Sequence, residues 1–428
     1  MKKALAIMLA LIMVFALAAP MASADDTAIT LWTYPIGGWG NSDTVEALIA
    51  GFEAANPGVK VTVEFLAYAD GDDKVNTALE GKAAPDLIME GPERLVANWG
   101  AKGYMVDIAD LWDDADKAEI LPVVQAACFN TAGQSYEYPL CMTAHCMAVN
   151  LARFQAVGAD QYLDLDSHTW TTEDFVEAVK LLAAENPNVA AVFCSGQGGD
   201  QGTRALINNL YSGKFTDAEH TKYTADSAEN IKALELLAGL EGVNFDASIN
   251  GGEEISLFRQ GILDMAFCWN IGAQLNTADG NEAGFTNDGD PIVCMAFPSD
   301  DGVPELCGGI WGFGIFDNGD AAKIEAAKAF IKYMADSEAT ADAVKASTYF
   351  AVRDKSDDVD LSNIYEGNDI MSEYTKLMPF LGDYYQVVPG WAEARTAWWN
   401  MLQQVGGGAD IATAVAAFCE AANAAAGA

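Results

Sequence analysis

The chain has 428 residues, with 62 acidic against 23 basic side chains and a formal charge of −39. That balance argues against nucleic acid and anionic membrane surfaces as partners, since both are held by basic surface. Its length suits two domains, and 51% hydrophobic residues can fill two cores.

Residues 1–24 read as a signal peptide. Lys2 and Lys3 make a positive start, residues 4–19 are apolar, and Ala22-Ser23-Ala24 is a small-x-small cleavage site. Cleavage near Ala24 is expected to export the protein to the periplasm or the cell surface. The first cysteine is Cys128, so no lipobox Cys is at hand for lipid attachment.

Residues 29–34 alternate as a strand does. A glycine-rich loop over 35–42 carries Trp39. Residues 43–54 predict a helix with Val45, Leu48, Ile49 and Phe52 inward, and Asn56-Pro57-Gly58 ends it. Residues 59–65 predict a second strand, 73–82 a helix and 84–89 a third strand. Strands alternating with helices imply an α/β fold with a parallel sheet. Ligands of such sheets sit at the carboxyl ends of the strands. That rule places Trp39, Glu90, Glu93 and Arg94 at the edge of a site.

Residues 138–151 (YPLCMTAHCMAVNL) form one long extended run. It is either a core strand or a strand long enough to leave one lobe and enter the next. The pattern then restarts with a helix over 169–182, capped by Thr171 or Thr172. A strand over 189–194, a polar glycine loop over 195–202 and helices over 229–240 and 254–260 follow. A strand over 262–269 ends in Trp269-Asn270, and 277–290 is a polar loop. The run 308–316 (GGIWGFGIF) is dense in glycine, which lets a backbone pass close to a neighbour. We read it as the return of the chain to its first lobe across a ligand cleft. Helices over 321–336 and 338–347 come next, and then a helical tail over 391–425 interrupted at Gly406-Gly407-Gly408. Most of the eight cysteines sit in apolar runs as small hydrophobes. Cys294 and Cys307, which flank one loop, are the pair best placed for a bridge.

No catalytic constellation stands out. His145, His168 and His220 have no nucleophile or ligand cluster beside them in sequence, and neither GxxxxGK[ST] nor HExxH occurs. We therefore assign no catalytic residue, no metal and no cofactor. Aromatic residues gather instead at strand ends and loops: Trp39, Trp269, Trp311, Tyr384, Tyr385 and Trp391. Each alone is better explained as core. Together with Glu90, Glu93, Arg94 and Arg395 they suit a sugar, whose C–H faces stack on aromatic planes while carboxylates and Arg bond its hydroxyls.

A series of phrases then resembles one family in order. They are Phe52 to Val61 (FEAANPGVKV), Ala84 to Ile88 (APDLI), Ala101 to Ile108, Tyr138 to Asn150, His168 to Phe175 (HTWTTEDF), Phe258 to Met265 (FRQGILDM), Gly308 to Ile315 and Ala327 to Met334. The match is to the maltose-type, carbohydrate-binding branch of the extracellular solute-binding proteins of ABC transporters, over nearly the whole mature chain. The resemblance implies a two-lobed periplasmic-binding-protein-like fold of type II, with a hinge and an interlobe ligand cleft. It also implies a carbohydrate ligand, delivery to the transmembrane permease subunits, and no enzymatic activity; a monomer is expected.

Carried over by resemblance, Glu93-Arg94 match an Asp-Arg pair that bonds sugar hydroxyls, and Glu90 stands where some members place a stacking Trp. Thr143 falls where an acidic ligand contact can sit. Trp269-Asn270 occupy a loop that usually holds a stacking Trp. Trp391 and Arg395 begin a W-x-x-x-R-T-A helix. Glu90 and Thr143 depart from the pattern and argue against maltose itself. The expected lobes are 25–147 with 306–360, and 148–305 with 361–428, closing on the ligand by hinge rotation. Two alternatives keep the fold and change the ligand. A polyol phosphate would want a cluster of bases, and only Arg94 and Arg395 are candidates. A polyamine would want carboxylates, which the acidic balance permits. An exported glycosidase would need two carboxylates facing across a substrate, and nothing marks such a pair.

Overall fold

The computed structural model describes residues 26–427, apart from 69, 196–200, 278–279, 281 and 357–358. The stretch 1–24, expected to be a signal peptide, and most of the polar loop over 195–202 lie outside the described residues.

Eleven strands carry the argument. They are β1 (Thr27–Thr33), β2 (Val59–Phe65), β3 (Leu87–Glu90), β4 (Tyr138–Ala144), β5 (Cys146–Asn150), β6 (Ala190–Ala191), β7 (Val243–Asn244), β8 (Met265–Trp269), β9 (Ile292–Met295), β10 (Gly308–Ile315) and β11 (Phe350–Ala351). The larger sheet has the order β11-β4-β10-β3-β1-β2, and a second sheet has the order β8-β5-β9. The strands β1, β2 and β3 run parallel, joined by the helices Ser42–Ala55 and Gly71–Glu80. The sheet is mixed, however, where a parallel one was expected. The strand β10 is antiparallel to both β3 and β4, because the chain re-enters this sheet after building the other one and runs down it.

The glycines of β10 have a steric cause. A Cβ on Gly308 would lie 1.9 Å from the Thr143 carbonyl oxygen, and one on Gly312 would lie 2.2 Å from that of Tyr138. Real Cβ atoms do not come so close, so only glycine lets β10 lie this tightly against β4.

The run expected as one strand over 138–151 is two strands and a helix start. His145 interrupts it, donating its backbone N–H to the Cys307 carbonyl at 2.8 Å. Before the break β4 pairs in the larger sheet, and after it β5 pairs with β8 and β9. The run therefore passes from one sheet directly into the other. All five residues of β5 are buried, and Leu151 opens the helix Leu151–Val157.

Capping sets the helix starts. Thr171 and Asp174 form a reciprocal capping box on Thr172–Ala183, and Asp320 caps Ala321–Ala335. The tail is two helices, Trp391–Gly406 and Ile411–Ala426, packed on each other. All eight cysteines are buried. All eight are free thiols, so the bridge for which Cys294 and Cys307 were best placed does not form. Among the described residues no helix is long and apolar enough to cross a membrane.

Candidate functional site

The site is built from the carboxyl end of β3. Gly91 follows the strand and fits under Ile310, whose carbonyl oxygen would lie 2.7 Å from a Cβ there. Pro92 then opens the helical turn Pro92–Arg94, which continues as a π-helical stretch over Leu95–Gly100. This tight exit draws Glu90, Glu93 and Arg94 together. Arg94 donates from Nη1 to Glu90 at 2.7 Å and to Glu93 at 3.5 Å. It also holds Asp72 with two bonds, from Nε at 2.7 Å and from Nη2 at 3.1 Å. Tyr34 donates to the same Asp72 at 2.6 Å.

Two tyrosines extend the cluster toward solvent. Tyr34 and Tyr68 stack with centroids 5.0 Å apart, and the Arg94 guanidinium sits 5.4 Å and 5.9 Å from the two centroids. Tyr34 is buried, while Tyr68 is 50% exposed and offers a supported aromatic face. From far along the chain Tyr384 arrives, buried, and donates its hydroxyl to Glu93 Oε2 at 2.8 Å.

The electrostatics are those of too many acids for one cation. Glu90 is buried, and its Oε2 has no hydrogen-bond partner. Burial pushes its carboxyl up to about 8, with Arg94 pulling back and Glu93 adding to the rise. Burial works on Asp72 in the same direction, but the Arg94 hydrogen bonds win and hold it below the usual carboxylate range. Behind them Glu137 is fully buried, with neither carboxyl oxygen bonded. Burial and then the charges of Glu93 and Glu90 raise it well above the ordinary range.

Trp311 of β10 is partly exposed and stacks on Tyr349 with centroids 4.6 Å apart and planes at 14°. Burial, then the charges of Cys141 and Glu90, pushes Tyr349 up to about 12, so this stack lies within electrostatic reach of the Glu90 cluster. Thr143 pairs with Gly309 on the same stretch and is buried, its Oγ1 without a partner.

Two expected contacts, Trp39 and Trp269, are corrected by the packing. Trp39 is fully buried, its indole N–H donating to the Ala343 carbonyl at 3.1 Å and its ring edge-on to Phe313. Trp269 is fully buried against Phe258, and its N–H donates to Gln274 at 2.8 Å. Both indoles turn inward under neighbouring helices. The Asn270 side chain accepts from the Ala273 N–H as the N-cap of Ile271–Leu275. Trp391 and Arg395 fall into a second aromatic cluster. Gly390, at φ +72°, turns the chain into the tail helix at Trp391. The Arg204 guanidinium lies 4.6 Å from the Trp391 centroid, and Arg395 lies over Trp399 at 5.7 Å.

Tyr68, Asp72, Tyr349 and Glu137 were not singled out from the sequence. Tyr68 and Asp72 follow β2 as Glu93 follows β3, so the strand-end rule reaches them. Tyr349 and Glu137 carry no such signal. A 180 Å³ cavity lined by Met142, Phe350 and Tyr365 and an open 920 Å³ groove around Asp86 and Asn318 share no residue with the Glu93 cluster.

Residues 38–341 match the model of the family described as bacterial extracellular solute-binding protein. A search of curated proteins finds no match. Among solved structures the chain is similar to the cyclic α-maltosyl-1,6-maltose binding protein of Arthrobacter globiformis, with a TM-score of 0.73 and 17% identity over 94% of this chain and 99% of that one. It is also similar to an ABC transporter solute-binding protein of Thermotoga lettingae bound with α-D-tagatose, with a TM-score of 0.68 and 18% identity over 94% and 100%. One from Agrobacterium radiobacter, in complex with ribitol, gives 0.65 and 21% over 94% and 99%. These likenesses carry the two-lobed type II fold.

Proposed function

This chain belongs to the bacterial extracellular solute-binding proteins, and from that premise we propose that it binds a sugar or oligosaccharide in an interlobe cleft and delivers it to the permease of an ABC importer. The observation that carries the ligand class is the set Tyr68, Glu93 and Arg94 at the carboxyl ends of β2 and β3. It combines an exposed aromatic face with a carboxylate and a guanidinium oriented by their neighbours. Such a set stacks a ring and bonds its hydroxyls. The tagatose, ribitol and maltosyl-maltose ligands of similar structures favour the same class.

We place Glu90, Glu93, Arg94, Thr143 and Trp311 on one lobe, 25–147 with 306–360. Trp391 and Arg395 lie on the other, 148–305 with 361–428. Closure by hinge rotation brings both sets onto one ligand, and the extra contacts made in the closed form drive it. The mature protein, cleaved near Ala24, acts outside the cytoplasm as a monomer and without turnover.

The test is a thermal-shift screen of sugars, polyols, polyol phosphates and polyamines. A ligand at 100-fold its dissociation constant adds about 2.7 kcal/mol. A shift with neutral saccharides is expected. A shift confined to phosphates or polyamines would keep the fold and replace the ligand class, and release of product from an oligosaccharide would overturn the binding role.

A further inference from the structure

His220 stands where a side chain is costly. It sits at φ +53°, in the left-handed region that favours glycine. Its turn is held from within, where Asp217 accepts from the Thr221 and Lys222 N–H groups at 2.7 and 3.1 Å. It is also held from outside. Asn423 of the tail helix Ile411–Ala426 bonds the Tyr223 N–H at 2.8 Å and the Tyr223 carbonyl at 3.0 Å. From this fixed post the ring of His220 reaches Asp383, its Nε2 lying 2.8 and 2.9 Å from the two carboxylate oxygens. An ionised carboxylate only accepts, so Nε2 is the donor.

Asp383 belongs to a strap that runs between the proposed lobes. Before it, the Leu306 N–H donates to the Phe380 carbonyl at 2.7 Å and the Leu306 carbonyl accepts from the Gly382 N–H at 2.8 Å. After it, Tyr384 donates to Glu93 at 2.8 Å and Gln386 to the Gly308 carbonyl at 2.7 Å. Adjacent residues are thus bonded in opposite directions, Asp383 to the proposed second lobe and Tyr384 to the first. The charged groups facing His220 are Asp383 on the strap and Asp217 on its own turn. The Asp383 hydrogen bond, against the pull of burial, raises the imidazole above its ordinary range, so the two form an ion pair in mildly acidic solution. Lys214 borders the same pocket as Asp383 but is bonded to Glu305 at 2.8 and 2.7 Å. The side chains of His220 and Asp383 are 23% and 46% exposed, and such pairs add little stability. What this one does is fix a position.

We propose that His220 and Asp383 form a positioning latch for the ligand site, which anchors the strap at Asp383 and so holds the hydroxyl of the adjoining Tyr384 on Glu93. This rests on the reading of Glu93 as a ligand contact. With the latch broken, the strap shifts, Tyr384 leaves Glu93, and the carboxylate loses the orientation in which it accepts from a ligand hydroxyl.

The experiment uses the mature chain and whichever of maltotriose, cellobiose, lactose, raffinose and xylobiose binds best at pH 6. His220→Gly removes the imidazole and suits the left-handed turn. Calorimetric titration should show binding about threefold weaker, the scale of a partly exposed ion pair, and Asp383→Ala should weaken it alike. In a Tyr384→Phe background His220→Gly should change nothing further, because the latch acts through that hydroxyl. Wild-type affinity in His220→Gly, or the full loss repeated in the Tyr384→Phe background, overturns the proposal and leaves the sugar reading intact. The pH profile is a second readout. Subtracting the logarithmic affinity profile of His220→Gly from that of the wild type cancels the groups common to both, Glu90 included. The difference should shrink as pH rises, with the midpoint that proton NMR gives for the ring resonance missing from His220→Gly. A flat difference makes His220 a packing residue of its turn and overturns the proposal. If none of the saccharides binds, the sugar reading itself fails, and hydrogen exchange without ligand still decides the latch. Faster amide exchange over 380–387 in His220→Gly than in the wild type supports it, and equal exchange overturns it.

Discussion

Glu93 and Tyr384 are 291 positions apart in the chain and joined by one hydrogen bond of 2.8 Å. Glu93 belongs to the turn after β3 and Tyr384 to the segment before the tail helices, so the bond ties the two proposed lobes together. Gln386 adds a second tie two residues on, donating to the Gly308 carbonyl at 2.7 Å. Removing the phenol in Tyr384→Phe takes away a charge-assisted bond, worth about 1.5–3 kcal/mol. Saccharide affinity should drop at least about tenfold, the low end of that range. Small-angle scattering should show a larger radius of gyration for the ligand-free variant than for the wild type. Unchanged affinity together with an unchanged radius would make Tyr384 a packing residue only.

Trp391 is the aromatic contact proposed from the second lobe. Its ring is partly exposed, with Arg204 over it at 4.6 Å and Phe215 edge-on at 6.3 Å. Those partners hold the indole in one orientation, and a fixed aromatic is what a stacking platform needs. Trp391→Ala should weaken saccharide binding by roughly 1–3 kcal/mol, the scale of a desolvated aromatic anchor, while circular dichroism stays unchanged. Calorimetric titration with the cognate saccharide checks it. Unchanged affinity would move the stacking role to Tyr68 and Trp311.

The strands nearest the site were legible because their patterns are local. Glycine at 308 and 312 marks a backbone approach that the Thr143 and Tyr138 carbonyls confirm. The direction of β10 was not legible, since an apolar run pairs either way and only the route of the chain decides. The turn Glu90–Arg94 could be placed at a strand end from sequence. Trp39 and Trp269 also stand near strand ends, but no sequence feature says that their indoles turn inward to Ala343 and Gln274. Tyr384 and Glu137 reach the site through long-range packing, and their spacing from Glu93 has no periodic meaning.

A buried ion network locks the return segment to the first part of the chain. Arg353, following β11, donates to Asp116 at 2.8 Å, to Asp336 at 3.1 Å and to the Tyr138 hydroxyl at 3.0 Å. Lys332 reaches Asp116 at 3.3 Å and Tyr138 at 3.1 Å. The side chains of Arg353 and Asp116 are 3% and 2% exposed. Removing Arg353 leaves the buried Asp116 with the more distant Lys332 as its countercharge, so Arg353→Met should cost about 3–5 kcal/mol in chemical denaturation. Combining it with Asp116→Asn should cost less than Arg353→Met alone, because no charge is then left unpaired. A double variant as unstable as the sum of the singles would show the pair to be uncoupled.

Stability should fall as pH rises from mildly acidic to alkaline, and the sign follows from the buried acids. Burial pushes Glu254 up to about 8, although the N–H groups of Phe267 and Cys268 bond its carboxyl at 2.6 and 2.9 Å. Burial likewise takes Glu90 to about 8 and Asp264 to about 6. In the unfolded chain the same groups titrate near their ordinary values of about 4. Between those limits the folded protein binds more protons than the unfolded one. Stability is therefore greatest below the unfolded values, declines through the folded ones, and levels off above pH 8 or so. Asp72 and Asp116 work the other way. They are held low by Arg94 for Asp72 and by Tyr138, Arg353 and Lys332 for Asp116, against the push of burial. Their contribution is lost only as pH drops below about 4. The two sets together put the maximum near pH 5. Each unit of separation is worth about 1.4 kcal/mol, so thermal unfolding should start several degrees lower at pH 8.5 than at pH 5.5. Glu254→Gln should flatten that slope in parallel scans. A midpoint that rises from pH 5.5 to 8.5, or a slope unaltered in Glu254→Gln, would mean that these acids are ionised in the fold.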